Sequence, residues 1–404
     1  MCSEIISTLS SSIDSIQLKL SDFGMEKFDF ESILKERFSN TETPRNVNQT
    51  LNLLENNHFE YVNPVCPYCD SYNVIKQEYR ARHPVLAEFG QQTIYQRRYK
   101  CKSCGKKFTT SLDSVIKPHH HYVDKCKDIT KYLVQTAVRS VRKIAEDFYT
   151  FCGYLPSHTT VQKWLQTGVK NRIINEKASY SGYYTYDEQH IKINGEKQYR
   201  LTLYDFLENI PIAEEIGLKL TKKVIYKFIK EITDNHKFYS LTTDHVIEYK
   251  NITDELGVIH QQCIFHLYKM IGDRVYKILK DKKVDKQDKM RLILYFTEIK
   301  NIFRTFNEKT ATQRLETLLD KFQDIPKVLQ RFITKKIIPD WQRLTQYMRH
   351  PHISRTSNPS ENYYRQTDPE QIKKKYKTPE GFLNYTNLKM QYWTQKHRKN
   401  YNPQ

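Results

Sequence analysis

No uninterrupted apolar run in the 404 residues approaches the length of a bilayer span, which sets integral membrane proteins aside. The opening stretch MCSEIISTLSSSIDSI is acidic and serine-rich. It lacks the basic segment of a signal peptide and the arginines of a transit peptide, so the chain is expected to stay where it is made. A disulfide framework is also missing, because four of the eight cysteines form two close pairs while Cys2, Cys126, Cys152 and Cys263 have no partner at short range. Acidic residues are the minority charge: 46 Asp and Glu stand against 65 Lys and Arg, a net charge of +19 with a pI near 9.3. Such a balance suits a polyanionic partner. The basic residues are spread through helical segments rather than gathered in one amphipathic anchor, which favours nucleic acid over a membrane surface. The length and 38% hydrophobic content allow two or three domains with sizeable cores.

What is present begins with an unremarkable arm, residues 1–60, read as weakly structured or helical. From Pro64 the text changes to VCPYCD and RRYKCKSCGKKFTT, giving Cys66-x-x-Cys69 and Cys101-x-x-Cys104. Two such pairs are what two knuckles supply to one tetrahedral four-thiolate zinc site, so residues 61–118 read as a zinc ribbon. The intervening strands are rich in arginine. Arg97, Arg98, Lys102 and Lys106 are candidate DNA contacts, although a ribbon that only staples a small domain is an equally ordinary use of zinc. The triplet His119 to His121 reads as a solvated linker, since three adjacent residues cannot all face one ion.

Residues 124–176 carry apolar residues at helical spacing from Ile129 to Ala145, then a turn, then Ser157 as a cap before TTVQKWLQTGV. This pattern fits a helix-turn-helix whose second helix presents His158, Thr160, Gln162 and Lys163 to DNA; a plain helical hairpin would read similarly. From Tyr183 the period becomes two. Three antiparallel strands, with Asn194-Gly195 as a type I′ hairpin signal, are followed by helix, strand, helix, strand, which is the order of a ribonuclease-H-like α/β core over 180–266. Residues 267–350 are almost wholly helical and read as an insertion, after which 351–404 completes the core and ends in a basic tail.

Asp187 falls in the first core strand and Asp244 at the end of the fourth. In a sheet of this order those strands are neighbours, and Glu361, on a helix across their edge, would complete a three-carboxylate cluster. Clustered acids are costly unless cations lie between them, and hard oxygen ligands suit two Mg²⁺ or Mn²⁺ ions working on a phosphodiester. Taken singly, Glu361 in SNPSEN also reads as a capping-box residue behind Asn358. Asp205 closes the second strand and reads as structural or supporting, as do Cys263 and His266, one helical turn apart. Trp341 could stack on an unpaired base, or fill the core.

The segments YTYDEQHIKINGEKQYRLTLYD, LTTDHVIEYKNITDELGVIHQQCIFH and SNPSEN together resemble the DDE transposases of insertion sequences, especially the Mutator-like group, whose ribonuclease-H core is interrupted by a helical insertion. In that family the first acid sits in the opening strand, the second in a TTD-like segment and the third in an N-x-x-E segment; these match Asp187, Asp244 and Glu361, and a Cys-x-x-His pair matches Cys263 and His266. The resemblance spans residues 64 to 390 or so. It implies metal-dependent cleavage and joining of DNA ends, by a homodimer or larger assembly, on the nucleoid in the cytoplasm of a prokaryotic cell. A DNA-binding regulator that has lost the chemistry and a structure-selective nuclease are the alternatives.

Overall fold

The structure is a computed structural model that describes residues 50–398, except 138, 371, 374 and 375. Most of the expected arm therefore lies outside the described residues. The chain divides into two compact units between Leu165 and Gln166.

The first unit opens with β1 (Leu51–Leu54), β2 (His58–Tyr61) and β3 (Val74–Arg82), continues through the short hairpin β4 (Val85–Leu86) and β5 (Gly90–Gln91), and closes with β6 (Ile94–Cys101) and β7 (Lys107–Thr109). The main sheet has the order β1-β2-β6-β3, with β7 also along β6. Its first strands correct the expected arm, because Leu51 to Tyr61 already belong to this sheet. Phe59, Tyr61, Ile94 and Tyr99 are buried there, and the Tyr99 hydroxyl accepts the Tyr61 N–H at 2.7 Å, so a tyrosine can sit in this small core with its hydroxyl satisfied.

Three helices follow: α1 (Asp124–Thr136), α2 (Val141–Cys152) and α3 (His158–Trp164). The apolar spacing from Ile129 to Ala145 runs across a break. Ser140 is extended and its side chain accepts the Lys143 N–H, which starts a new helix. Gly153 ends α2 in the left-handed region at φ 68°, and Ser157 caps α3 through the Thr160 N–H. Val161 is buried, and Trp164 meets Tyr122 and Phe148 at ring distances of 4.7 and 5.8 Å.

The second unit is built on a six-stranded sheet. It comprises β8 (Arg172–Ile174), β9 (Tyr183–Ile193), β10 (Glu196–Asp205), β11 (Ile210–Gly217), then α4 (Lys222–Thr233), β12 (Ser240–Thr243), α5 (Ile247–Leu256) and β13 (Ile259–Gln262). The order is β13-β12-β9-β10-β11-β8. β9, β12 and β13 run parallel, and β8 to β11 pair antiparallel. β8 was expected inside the helix-turn-helix region; its pairing with β11 puts it in this sheet instead. Asn194 and Gly195 both have positive φ, 51° and 85°, as a type I′ turn requires. Ile225, Phe228, Ile229 and Ile232 of α4 are buried against the sheet, each contributing about 1.5–3 kcal/mol.

An all-helical stretch then forms its own core around Ile271, Ile299, Phe303 and Leu329. It contains α6 (Ile264–Lys280), α7 (Lys286–Ile302), α8 (Glu308–Asp320), α9 (Lys327–Phe332), a π-helical turn at Ile333–Ile337, α10 (Trp341–Leu344) and α11 (Gln346–Arg349). The chain returns to the sheet through α12 (Asn358–Thr367) and α13 (Pro379–His397). The expected basic tail is thus helical up to His397. Phe382, Leu383, Leu388, Met390 and Trp393 are buried together with Asn384, Thr386 and Lys389, a mixture that hides the helical period. Residues 399–404 lie outside the described residues.

Candidate active site and metal centre

Asp187 lies in β9, and Asp244 follows the last residue of the neighbouring parallel strand β12. Glu361 is in the first turn of α12. That helix is fixed against β9 by the Tyr364 O–H donating to the Asp187 carbonyl at 2.8 Å and by a 2.8 Å bond between Ser360 and Thr185 hydroxyls. The three carboxylates line one open cleft of about 880 Å³, whose walls also carry Glu188, Lys269, Arg365 and Lys373.

His266, in the first turn of α6, stands between two of the acids. Its Nδ1 is 2.5 Å from Asp244 and its Nε2 is 3.2 Å from Glu361. Burial opposes a charge on this imidazole, but its hydrogen bonds to Asp244, Cys263 and Glu361, in which the ring N–H groups donate, outweigh burial and push it up to about 12, so it is cationic. The His266 bond in turn holds the Glu361 carboxyl below the usual range. Asp187 behaves oppositely: burial, then the charges of Asp244 and Glu188, push its carboxyl well up, as expected where like charges are crowded. Glu188 is pushed up to about 7, chiefly by burial, and accepts the Tyr249 O–H.

The capping expectation for SNPSEN does not hold. α12 begins at Asn358 with Ser357 before it, and Ser357 makes no side-chain cap bond. Ser357 instead donates its N–H and O–H to the Cys263 sulfur, both at 3.3 Å, while Glu361 turns to His266. Asp244, Cys263 and His266 bring their ligand atoms within 4.8 Å of one another. Asp205 sits apart, buried, accepting from the N–H and O–H of Ser181 and the N–H of Glu208, and so it ties the end of β10 to the preceding loop. Trp341 is partly buried against the helical core, 5.8 Å from the Phe303 ring. Sequence reasoning did not single out Glu188 and Tyr364; a carboxylate beside Asp187 and a tyrosine one turn beyond Glu361 were the available signals.

In the first unit the sulfurs of Cys66, Cys69, Cys101 and Cys104 all lie within 4.8 Å of one another, with Cys66–Cys104 and Cys69–Cys101 at 3.6 Å. A tetrahedron with Zn–S of about 2.3 Å has sulfurs about 3.8 Å apart, so the donor set fits zinc. The neighbouring cations differ in their freedom. Arg97 is spent internally: it pairs with Glu60 at 3.2 Å, donates to the Gln77 carbonyl and lies 3.6 Å over the Tyr79 ring. Arg98 pairs with Glu78 at 2.6 Å, Lys106 lies 4.6 Å over Tyr68, and Lys102 is exposed. On α3, His158, Gln162 and Lys163 are exposed and Thr160 is half-buried.

No family model matches the chain. It is 40% identical over 393 residues to the insertion element ISM1 48.3 kDa protein of Methanobrevibacter smithii, covering 97% of this chain and 98% of that one. Among solved structures it resembles the Drosophila P element transposase strand transfer complex, at a TM-score of 0.41 and 8% identity over 66% of this chain and 91% of that one. A simian T-cell lymphotropic virus intasome, in complex with a PP2A regulatory subunit, matches at 0.19 and 11% identity over 35% and 60%. Both scores are below 0.5, so the reading of the site rests on its geometry.

Proposed function

The chain belongs to the same family as the insertion element ISM1 protein, and from that premise we propose that it is a DDE-type transposase that cleaves and joins DNA ends. The observation that carries this reading is the convergence of Asp187, Asp244 and Glu361, from three separate elements, on one open cleft. The order of the six-stranded sheet, with a helical stretch between β13 and α12, supports a ribonuclease-H-like core interrupted by an insertion.

Asp187, Asp244 and Glu361 would hold two divalent cations, Mg²⁺ or Mn²⁺; hard carboxylate oxygens suit these ions, and the crowding that pushes Asp187 up is what such cations relieve. When bound, the ions supply an activated water or 3′-hydroxyl and stabilise the leaving oxygen of the phosphodiester. The chain's own residues do the rest. Tyr364 and Ser360 lock α12 to β9 so that Glu361 faces the strand acids, and His266 keeps Asp244 and Glu361 together. Lys269, Arg365 and Lys373 on the cleft walls offset the charge of an approaching phosphate backbone.

The four thiolates would hold a structural zinc, and the ribbon with α3 would bind the terminal repeats of the element. Lys102, Lys106, His158, Gln162 and Lys163 are the better placed contacts, since Arg97 is committed to Glu60. Joining two ends calls for two active sites, hence a dimer or larger assembly on DNA. No helix among the described residues is long and apolar enough to cross a membrane, and the protein would act on the nucleoid.

The test is cleavage of DNA bearing the element's ends by purified protein in Mg²⁺. Glu361→Gln, which alters no cap, should lose several kcal/mol of transition-state stabilisation, about 10³-fold in rate, while DNA binding is kept. Cleavage by the Gln variant at the wild-type rate would overturn the reading.

A further inference from the structure

The all-helical stretch is the most basic part of the chain that the cleft does not explain. Residues 267–350 contain 20 Lys and Arg against 10 Asp and Glu. A second open groove, of about 670 Å³, lies in this stretch between the end of α7 and α8, and it shares no lining residue with the carboxylate cleft. Arg304, Arg314 and Lys321 line it, with Glu298 as its single acid.

The three cations have no ion-pair partner among the described residues, whereas other charged residues of the same stretch are paired, Arg349 with Glu308 within it and Asp340 and Arg343 with Lys250 and Asp254 of α5. Two of the guanidinium groups are oriented by one residue: Arg314 donates to the Asn301 carbonyl at 2.6 Å and Arg304 to the Asn301 side-chain oxygen at 3.2 Å. Each uses one of its five N–H donors there and keeps the others for an outside acceptor. Thr310 and Gln313 add neutral donors along the same groove, while the Thr317 hydroxyl donates to the Gln313 carbonyl. Planar forks held in place beside a lysine suit phosphate oxygens, and a row of several cations suits a polyanion better than a single ion.

We propose that this groove is a second nucleic-acid contact, in which Arg304, Arg314 and Lys321 grip backbone phosphates of DNA away from the reacting phosphodiester. The inference rests on the transposase reading only in naming DNA as the polyanion. Contacts of this kind carry no base information and set register and affinity.

The experiment measures binding of duplex DNA bearing the element's ends across a salt series. It compares the full-length wild type, the triple variant Arg304→Ala/Arg314→Ala/Lys321→Ala, and a control triple, Lys282→Ala/Lys283→Ala/Lys286→Ala. The control removes the same charge from exposed positions of the same stretch. Circular dichroism establishes that each variant is folded. Loss of three phosphate contacts should lower the salt slope by about 2 to 3 and weaken binding about tenfold or more at low salt, with the control near wild type. Equal slopes in all three proteins would overturn the groove. An equal fall in both triples would also overturn it, because diffuse charge would then suffice. A wild type that binds no duplex DNA at any salt would instead sink the transposase reading, and the groove with it.

Discussion

The two clusters of ligating side chains in this protein are opposites. In the first unit four soft thiols, supplied as two short-range pairs, close on one another between 3.6 and 4.8 Å beside a small sheet that buries Phe59, Tyr61, Ile94 and Tyr99. In the second, three hard carboxylates come from β9, the end of β12 and α12, and they line an open cleft inside a well-filled α/β layer. On the proposed reading the thiol cluster would need a metal to complete a small fold. The carboxylate cluster is held in place by a fold that is complete without it, through Tyr364, Ser360 and the cationic His266. A cation there would change charge and chemistry more than architecture.

The largest effect that would break this contrast is removal of the thiol-bound metal. Chelation, or Cys66→Ser, should cost on the order of 10 kcal/mol of folding free energy in the ribbon, read as release of about one zinc per chain and loss of hydrogen-exchange protection over residues 51–109. The same treatment should leave β9 to β13 protected. Equal loss in both units would erase the distinction.

A smaller effect should come from behind the carboxylate cleft. Arg200 and Glu214 are fully buried and paired at 2.6 Å, and Arg200 also donates to Thr367 of α12 and lies over the Tyr363 and Tyr364 rings. Arg200→Met leaves Glu214 buried and alone, with an expected loss of about 3–5 kcal/mol in denaturant unfolding. Adding Glu214→Leu should recover most of it. No recovery would mean that Arg200 acts chiefly through α12.

The smallest effect is a pH dependence. His260 in β13 is buried; it accepts from Arg343 at 2.9 Å and bonds the Thr243 hydroxyl at 2.9 Å. Burial, followed by the Arg343 charge, pushes it down to about 3. The unfolded chain binds that proton near pH 6.5 and the fold does not, so stability is lost as pH falls below 6.5. At about 1.4 kcal/mol per pH unit the loss should reach about 2–3 kcal/mol at pH 4.5. Comparing unfolding of wild type and His260→Gln at pH 7.5 and 4.5 isolates this part, and identical pH dependence in the two would show that His260 does not cause it.

Local sequence determined much of this protein. The two Cys-x-x-Cys pairs lie in tight turns, Asn194-Gly195 makes its hairpin from two residues that tolerate positive φ, and Ser157 caps α3 as its text suggests. The alternation from Tyr183 and the helical period of α4 are equally local, and a period survives whatever packs against it. Where the reading failed, a tertiary partner was the reason. β1 and β2 are short and become strands only by pairing with each other and, through β2, with β6, and α13 buries polar groups against β8 and β11 that no period announces. Arg97 reads as a free cation until Glu60, 37 residues away, takes it up. Glu361 is the sharpest case. Its neighbours in the chain allow a helix cap as well as the third acid expected from the strand order and the N-x-x-E segment; the packing of α12 on β9, with His266 and two strand acids beside it, turns it to the cleft. The acids and their expected meeting were legible from strand order, but the bonds that hold them, His266 between Asp244 and Glu361 and Tyr364 and Ser360 on β9, depend on long-range packing and came only from the fold.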